Sequence, residues 1–457
     1  MEETREYPHL PQGFVFGAST AAYQVEGAVD EDGRGRSVWD TFCEEPGRIA
    51  DGSSGAVACD HYHRYAEDVA LMKGLGLDGY RFSIAWPRIQ PDGSGKPNAK
   101  GLAFYDRLVD ELLAAGITPM ATLFHWDLPQ PLEDDGGWLN RSTADRFGEY
   151  ASVVGDYLGD RVGHWVPVNE PNVVTMLGHA LGVHAPGRRM MLDALPVAHH
   201  LLLGHGRAVQ ALRGTGATSI GTATNHTPVW AATGSAEDKE AAAGYATLWN
   251  RVFADPILRG TYPDGFQGLM PGPVAEDLRV ISSPIDFYGV NYYNPTRVAG
   301  PSTPAPEGSP FAAEGLPFVM LAVEGYPRTD FDWPVVPEGL RDLLVTMSDE
   351  YGDALPPVYV TENGCAYNDE PDETGRVADQ RRIDYLDGHL RALGQAIEAG
   401  VDVRGYFTWS LLDNFEWAEG YSKRFGLVHV DYATQRRTPK DSYDWFARMI
   451  GENKRMA

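Results

Sequence analysis

Two short strings carry the chemistry of this 457-residue chain. Asn169-Glu170-Pro171 and Thr361-Glu362-Asn363-Gly364 each place one glutamate just after an apolar run that reads as a strand, His164–Val168 and Pro357–Val360. Paired carboxylates at strand ends suit the cleavage of a sugar acetal. The leaving oxygen departs poorly until protonated, and the anomeric carbon gathers positive charge as the bond breaks, so one carboxyl must be an acid and the other an anion. Carboxyls about 5–5.5 Å apart allow direct attack with retention, whereas about 6.5–9.5 Å admits a water and gives inversion. Two unit charges about 5 Å apart at an effective dielectric near 20 repel by roughly 3 kcal/mol, or about 2 pKa units. One carboxyl of such a pair is therefore expected to hold its proton close to neutral pH.

The two glutamates lie roughly 190 positions apart, so only a fold that gathers distant strand ends can bring them together. Eight strand-like runs alternate with amphipathic helices: Phe14–Gly17, Gly79–Ile84, Thr118–Phe124, His164–Val168, Ser219–Thr224, Phe287–Asn291, Pro357–Thr361 and Gly405–Trp409. Most are continuously apolar, as strands covered on both faces are. Between them, Ile383, Leu386, Leu390, Leu393 and Ile397 step at helical spacing before Gly400. Phe147, Tyr150, Val154 and Tyr157 do so after the cap candidates Asn140 and Ser142, and Tyr62, Tyr65, Val69 and Met72 after Asp60. The pattern predicts an α/β fold, a single (β/α)8 TIM barrel with elongated βα loops, as one domain over residues 1–457. The Pro-, Ser- and Gly-rich stretch Ala299–Gly315 reads as a surface loop.

A formal charge of −26 with no offsetting basic cluster argues against a nucleic-acid partner. No run approaches the ~18 apolar residues of a membrane span, so no membrane partner is expected. The charged start, Met1–Leu10, lacks the apolar segment of a secretory signal. Cys43, Cys59 and Cys365 follow no metal-ligand spacing and read as free thiols of a cytoplasmic protein. A homo-oligomer is compatible with this composition.

Longer motifs widen the picture: Gly13–Gly27 (GFVFGASTAAYQVEG), Tyr80–Trp86 (YRFSIAW), His125-Trp126, Asn169-Glu170-Pro171, Asn291-Tyr292-Tyr293, Tyr359–Gly364 (YVTENG) and Trp409–Trp417 (WSLLDNFEW). In this order they resemble glycoside hydrolase family 1, the β-glucosidase family, from Phe14 to about Trp445. The resemblance implies Glu170 as general acid/base, Glu362 as nucleophile and Asn169 as partner of the sugar 2-hydroxyl. It implies that Arg81 and Tyr293 hold the nucleophile, Arg81 keeping it ionised by charge pairing. Gln24, His125, Glu416 and Trp417 would form the hydrogen-bonding shell of the non-reducing sugar, with Trp126 and Asn291 also in the substrate site. Trp409 would be its aromatic floor, Phe425 a further wall and Trp333 the entrance. The substrates implied are small β-glycosides, and neither a metal nor an organic cofactor is implied.

Several expectations rest on single positions. Glu416, as an anion, would repel a 6-phosphorylated sugar despite the neighbouring Ser422-Lys423. Asn172 stands where many relatives have tryptophan, which would remove a flat wall from the leaving-group side. His61-Tyr62-His63 imitates a metal-binding pair but opens a helix away from the rim. His199, His200 and His205 sit in an apolar helical stretch and read as packing or surface residues. Hydrolysis of terminal β-D-glucosyl residues is the leading reading. β-Galactosidase, β-fucosidase or transglycosidase activity on the same site, or a non-catalytic sugar-binding protein, are its alternatives.

Overall fold

A computed structural model describes residues 6–306 and 316–456. Eight parallel strands form one sheet: β1 (Val15–Ser19), β2 (Gly79–Ser83), β3 (Thr118–Phe124), β4 (His164–Val168), β5 (Gly221–Asn225), β6 (Phe287–Asn291), β7 (Val358–Asn363) and β8 (Val403–Trp409). Their order is β4-β3-β2-β1-β8-β7-β6-β5. Parallel bridges Trp165–Ile220 and Asn169–Ala223 join β4 to β5 and close the barrel. All eight expected strands are present. The ends shift by up to two residues: Phe14 and Pro357 stay outside, and Asn225 and Asn363 are included.

The barrel interior is filled at its base by Met120, Val166, Ala223, Phe287, Tyr359 and Phe407. Bulky side chains there demand small neighbours. A Cβ on Gly17 would lie 2.2 Å from the Phe407 ring. The outer ring of helices follows the strands in turn: α1 (His61–Leu75), α2 (Ala99–Ala114), α3 (Ser142–Leu158), α4 (Leu195–Gly214), α5 (Val274–Ile281), α6 (Pro337–Tyr351), α7 (Gln380–Glu398) and α8 (Asp441–Met456). In α7, Leu386, Leu390 and Leu393 are buried, and Gly400 takes a positive φ of 102° just past its end. In α3 the Asn140 side chain accepts the Ser142 backbone N–H at 3.0 Å. Phe147, Tyr150 and Val154 are buried there, but Tyr157, expected on the same face, is 40% exposed. The four-residue step from Val154 gives the buried slot to Leu158 instead.

Additional structure lies in the long βα loops. Strands Val229–Ala231, Thr296–Ala299 and Val319–Leu321 form a small sheet between the loops that follow β5 and β6. The stretch predicted as a surface loop begins at the last residue of Thr296–Ala299, and its residues 307–315 lie outside the described ones, as do residues 1–5 of the charged N-terminal stretch. Among the described residues no helix is long and apolar enough to cross a membrane. The three cysteines are free thiols, Cys59 and Cys365 buried and Cys43 half-buried.

Candidate active site

The C-terminal ends of the strands open into a cavity of about 560 Å³. Of the residues singled out from the sequence, His125, Trp126, Glu170, Tyr293, Trp333, Glu362, Trp409, Glu416, Trp417 and Phe425 line it. Gln24, Arg81, Asn169 and Asn291 lie one layer back, each hydrogen-bonded to a lining side chain. They come from different strands: Arg81 from β2, His125 from just past β3, Asn169 and Glu170 from just past β4, Asn291 from β6, Glu362 from β7 and Trp409 from β8. A parallel barrel points all these ends one way, which is why residues so far apart in sequence meet.

The backbone at the rim is itself constrained. Glu170 donates its N–H to the Ala223 carbonyl at 2.8 Å, a bond that closes the barrel between β4 and β5. Glu170, Trp126 and Trp417 have φ of 47°, 77° and 48°. Left-handed conformations cost a non-glycine residue energy and persist where the surroundings over-determine them. Trp417 is packed accordingly, its ring 4.4 Å from Trp126 and 4.5 Å from Trp39, and stacked with His125 at 5.9 Å.

The two glutamates are held differently. Both oxygens of Glu362 accept: Oε1 from Arg81 NH1 at 2.6 Å and Oε2 from the Tyr293 hydroxyl at 2.9 Å. Among the described residues, no cation contacts Glu170. Its Oε1 accepts from Asn291 Nδ2 at 2.8 Å and Asn225 Nδ2 at 3.1 Å. Burial, then the charge of Glu362, pushes the Glu170 carboxyl up to about 8. For Glu362, burial raises the pKa while Arg81, Tyr293 and Asn291 pull it back, and the net direction is still upward. Arg81 was expected to keep this group ionised by charge pairing, and its two contributions do lower the pKa. The ion pair is present, but full desolvation outweighs it.

Arg81 also orders the neighbouring polar groups. Its NH2 donates to Asn169 Oδ1 at 2.5 Å, so the Asn169 amide nitrogen faces His125 Nε2 at 3.0 Å. His125 therefore accepts at Nε2 and carries its proton on Nδ1. Burial and the Arg81 charge keep the ring neutral. His125 Nδ1 and Gln24 Oε1 are buried without a protein partner. Gln24 Nε2 donates to the Phe415 carbonyl at 2.8 Å, which leaves the amide oxygen to accept. One free donor and one free acceptor beside an aromatic wall suit sugar hydroxyls and a sugar's apolar C–H face.

Residues 6–455 match the model of the glycosyl hydrolase family 1. The chain belongs to glycosyl hydrolase family 1. The family 1 chain is 46% identical over 451 residues to Beta-glucosidase A of Acetivibrio thermocellus, covering 97% of this chain and 98% of that protein. It is 44% identical over 461 residues to a bifunctional beta-D-glucosidase/beta-D-fucosidase of Bifidobacterium breve, covering 97% and 98%. Among solved structures, a psychrophilic beta-glucosidase from Micrococcus antarcticus superposes with a TM-score of 0.92 at 49% identity, covering 97% and 98% of the two chains. The Thermotoga maritima family 1 beta-glucosidase in complex with glucoimidazole gives 0.91 at 44%, covering 98% and 99%.

Within this family 1 site, the geometry bears on two further expectations. Glu416 is not an isolated anion: burial, then Glu362 and Glu419, pushes it up to about 8, so near neutral pH it holds a proton. Lys423 turns away, donating to the Asp330 carbonyl at 2.8 Å beside the Phe331 ring. Asn172, expected to leave the leaving-group side without a flat wall, is turned inward. It is buried, and its amide donates to the backbone carbonyls of Asn225 at 2.8 Å and Trp249 at 3.3 Å. Trp249 itself lines the cavity, stacked on Tyr245.

Asn225, Tyr245, Trp249 and Phe331 are among the cavity-lining residues that the sequence reading missed. Asn225 was within reach, one residue beyond a recognised strand end. Tyr245 and Trp249 sit in helical segments inserted after β5, Ala236–Ala246 and Thr247–Arg251, and Phe331 in an irregular stretch of the loop after β6. Of the histidines set aside earlier, all but His205 have other partners. His61 Nδ1 meets Asp68 at 2.7 Å, and His63 meets Asp60 at 2.6 Å at the start of α1. His199 lies between Tyr262 and Asp277, His200 meets the Trp138 carbonyl, and His205 is buried in α4. All but the exposed His63 are buried packing residues.

Proposed function

We propose that this family 1 protein is a retaining β-glycosidase that removes terminal non-reducing β-D-glucosyl residues from small β-glucosides and cello-oligosaccharides by double displacement. One observation carries the reading. Across one cavity, one carboxylate has both oxygens held, one of them by a cation, while the other has only amide partners and retains its proton to about pH 8. Anion and acid are thereby assigned to Glu362 and Glu170.

In the first step, Glu362 attacks the anomeric carbon and Glu170 gives its proton to the departing oxygen. Once Glu362 is an ester, its charge is gone and the carboxyl of Glu170 becomes more acidic. Its anion then takes a proton from the water that attacks the ester. Tyr293 and Arg81 steady the nucleophile as charge leaves it. Asn169, fixed by Arg81 and Asn291, presents its amide to the 2-hydroxyl. Gln24, His125, Glu416 and Trp417 receive the outer hydroxyls, Trp409, Trp126 and Phe425 line the ring, and Trp333 guards the half-buried mouth. Among the described residues no cation contacts Glu416, which supports unphosphorylated substrates.

The relative from Bifidobacterium breve, named for both glucoside and fucoside cleavage, favours β-fucosides as a second substrate class. Three free thiols are consistent with a reducing cytoplasm and a single-domain enzyme working there. The test is Glu362→Ala with a nitrophenyl β-glucoside. Turnover should fall on the order of 10⁵-fold, and added azide should restore part of it as an α-glucosyl azide. Undiminished turnover, or a β-configured azide product, would overturn the assignment.

A further inference from the structure

Resting on that reading, we propose that Asn225, oriented by Trp249 and anchored through Asn172, is a positioning residue that places the proton of Glu170 on its Oε2 atom. Both side-chain donors to Glu170 fall on the same oxygen, Asn291 Nδ2 at 2.8 Å and Asn225 Nδ2 at 3.1 Å from Oε1. An oxygen that accepts two N–H bonds is the wrong one to carry a hydrogen, so the proton goes to Oε2. Neither amide can turn round. The Trp249 indole, which only donates, gives its N–H to Asn225 Oδ1 at 3.2 Å. The Thr361 hydroxyl donates to Asn291 Oδ1 at 2.6 Å. Each amide therefore presents its NH2 end to Glu170.

The Trp249 contact links acid placement to the leaving-group side. Trp249 lies in a π-helical turn, Thr247–Arg251, and forms part of the cavity wall. Such turns are frequent at functional sites. The buried Asn172 amide bridges this turn to the end of β5 by bonding the carbonyls of Trp249 and Asn225 together. The wall that would receive the leaving group and the amide that aims the proton are thus one hydrogen-bonded unit. Where this chain has asparagine instead of tryptophan after Asn169-Glu170-Pro171, the side chain serves as a clasp beneath the wall.

The experiment compares kcat/KM for an alkyl β-glucoside, which needs full protonation of its leaving oxygen, with that for a dinitrophenyl β-glucoside, which needs none. In Asn225→Ala, the alkyl substrate should lose roughly tenfold more than the dinitrophenyl one. The basic limb of its pH profile should move upward, because a donor to the ionised carboxyl is gone. Trp249→Phe keeps a ring in the wall, removes the N–H, and should move both readouts the same way by less. Equal losses on both substrates with an unmoved basic limb, or no change, would overturn the proposal. Glu170→Ala separates the two levels: if it fails to single out the alkyl substrate, the role given to Glu170 fails, whereas a selective loss there without one in Asn225→Ala sinks this inference alone.

Discussion

Two regions of the molecule bury carboxylates equally deeply and treat them in opposite ways. In the cavity, Glu170 and Glu416 meet no cation among the described residues and are pushed up to about 8. Behind it, Asp413 accepts from Lys440 at 2.8 Å, Arg424 at 2.9 Å and the Gly426 N–H at 2.9 Å, and is held below its usual range. Asp68, between His61 and Arg437, is lowered likewise. Burial raises all four, so what separates the regions is whether positive groups stand within contact distance. Glu362 lies between the extremes: one arginine moderates its rise without reversing it. The ion cluster also serves the cavity. Asp413 belongs to the loop that carries Glu416 and Trp417, and through Gly426 it fixes the turn beside Phe425.

Arg81→Met should break the contrast most severely, by making Glu362 as cation-free as Glu170. The acidic limb of kcat/KM should rise by about 1–3 pH units. The rate at its optimum should fall by roughly 10³-fold, because Asn169 also loses its anchor. An unmoved acidic limb would mean that the guanidinium does not control the charge of Glu362.

Lys440→Met attacks the other region. Removing one partner of a buried ion pair costs about 3–5 kcal/mol, and denaturant titration should register that loss. At temperatures where the variant stays folded, its pH profile should keep its shape, since the cluster contacts neither proposed catalytic carboxyl. A profile displaced on both limbs would show that the two regions are electrically coupled.

Glu416→Gln is the gentlest probe. Because burial raises its pKa from 4.5 to about 8, the native state keeps a proton that the unfolded chain releases across that interval. Stability therefore declines as pH rises through the window and levels off above about 8. The amide cannot ionise, so the variant should lose fewer degrees of melting temperature between pH 5 and 8.5, as scanning calorimetry would reveal. Identical slopes for the two proteins would place the proton elsewhere.

Order and spacing of residues were enough for the barrel. Eight strand-like runs, most of them continuously apolar and separated by helical periodicities, admit few other arrangements, and the positions just after those runs gave His125, Glu170 and Glu362 of the cavity lining, while less than half of the lining was named in all. Local patterns act within a few residues, which is why strand and helix faces could be read directly and why Tyr157, in the last turn of α3, was misread. The placement of Asn172 and Trp249, the protonation of Glu416 and the net direction at Glu362 depend on contacts between segments far apart in the chain. A carboxyl's charge follows from which groups lie within a few ångströms and how much water is excluded, and neither quantity exists before the barrel closes. The chain's order thus named the chemical groups, and folding determined how each one is charged and aimed.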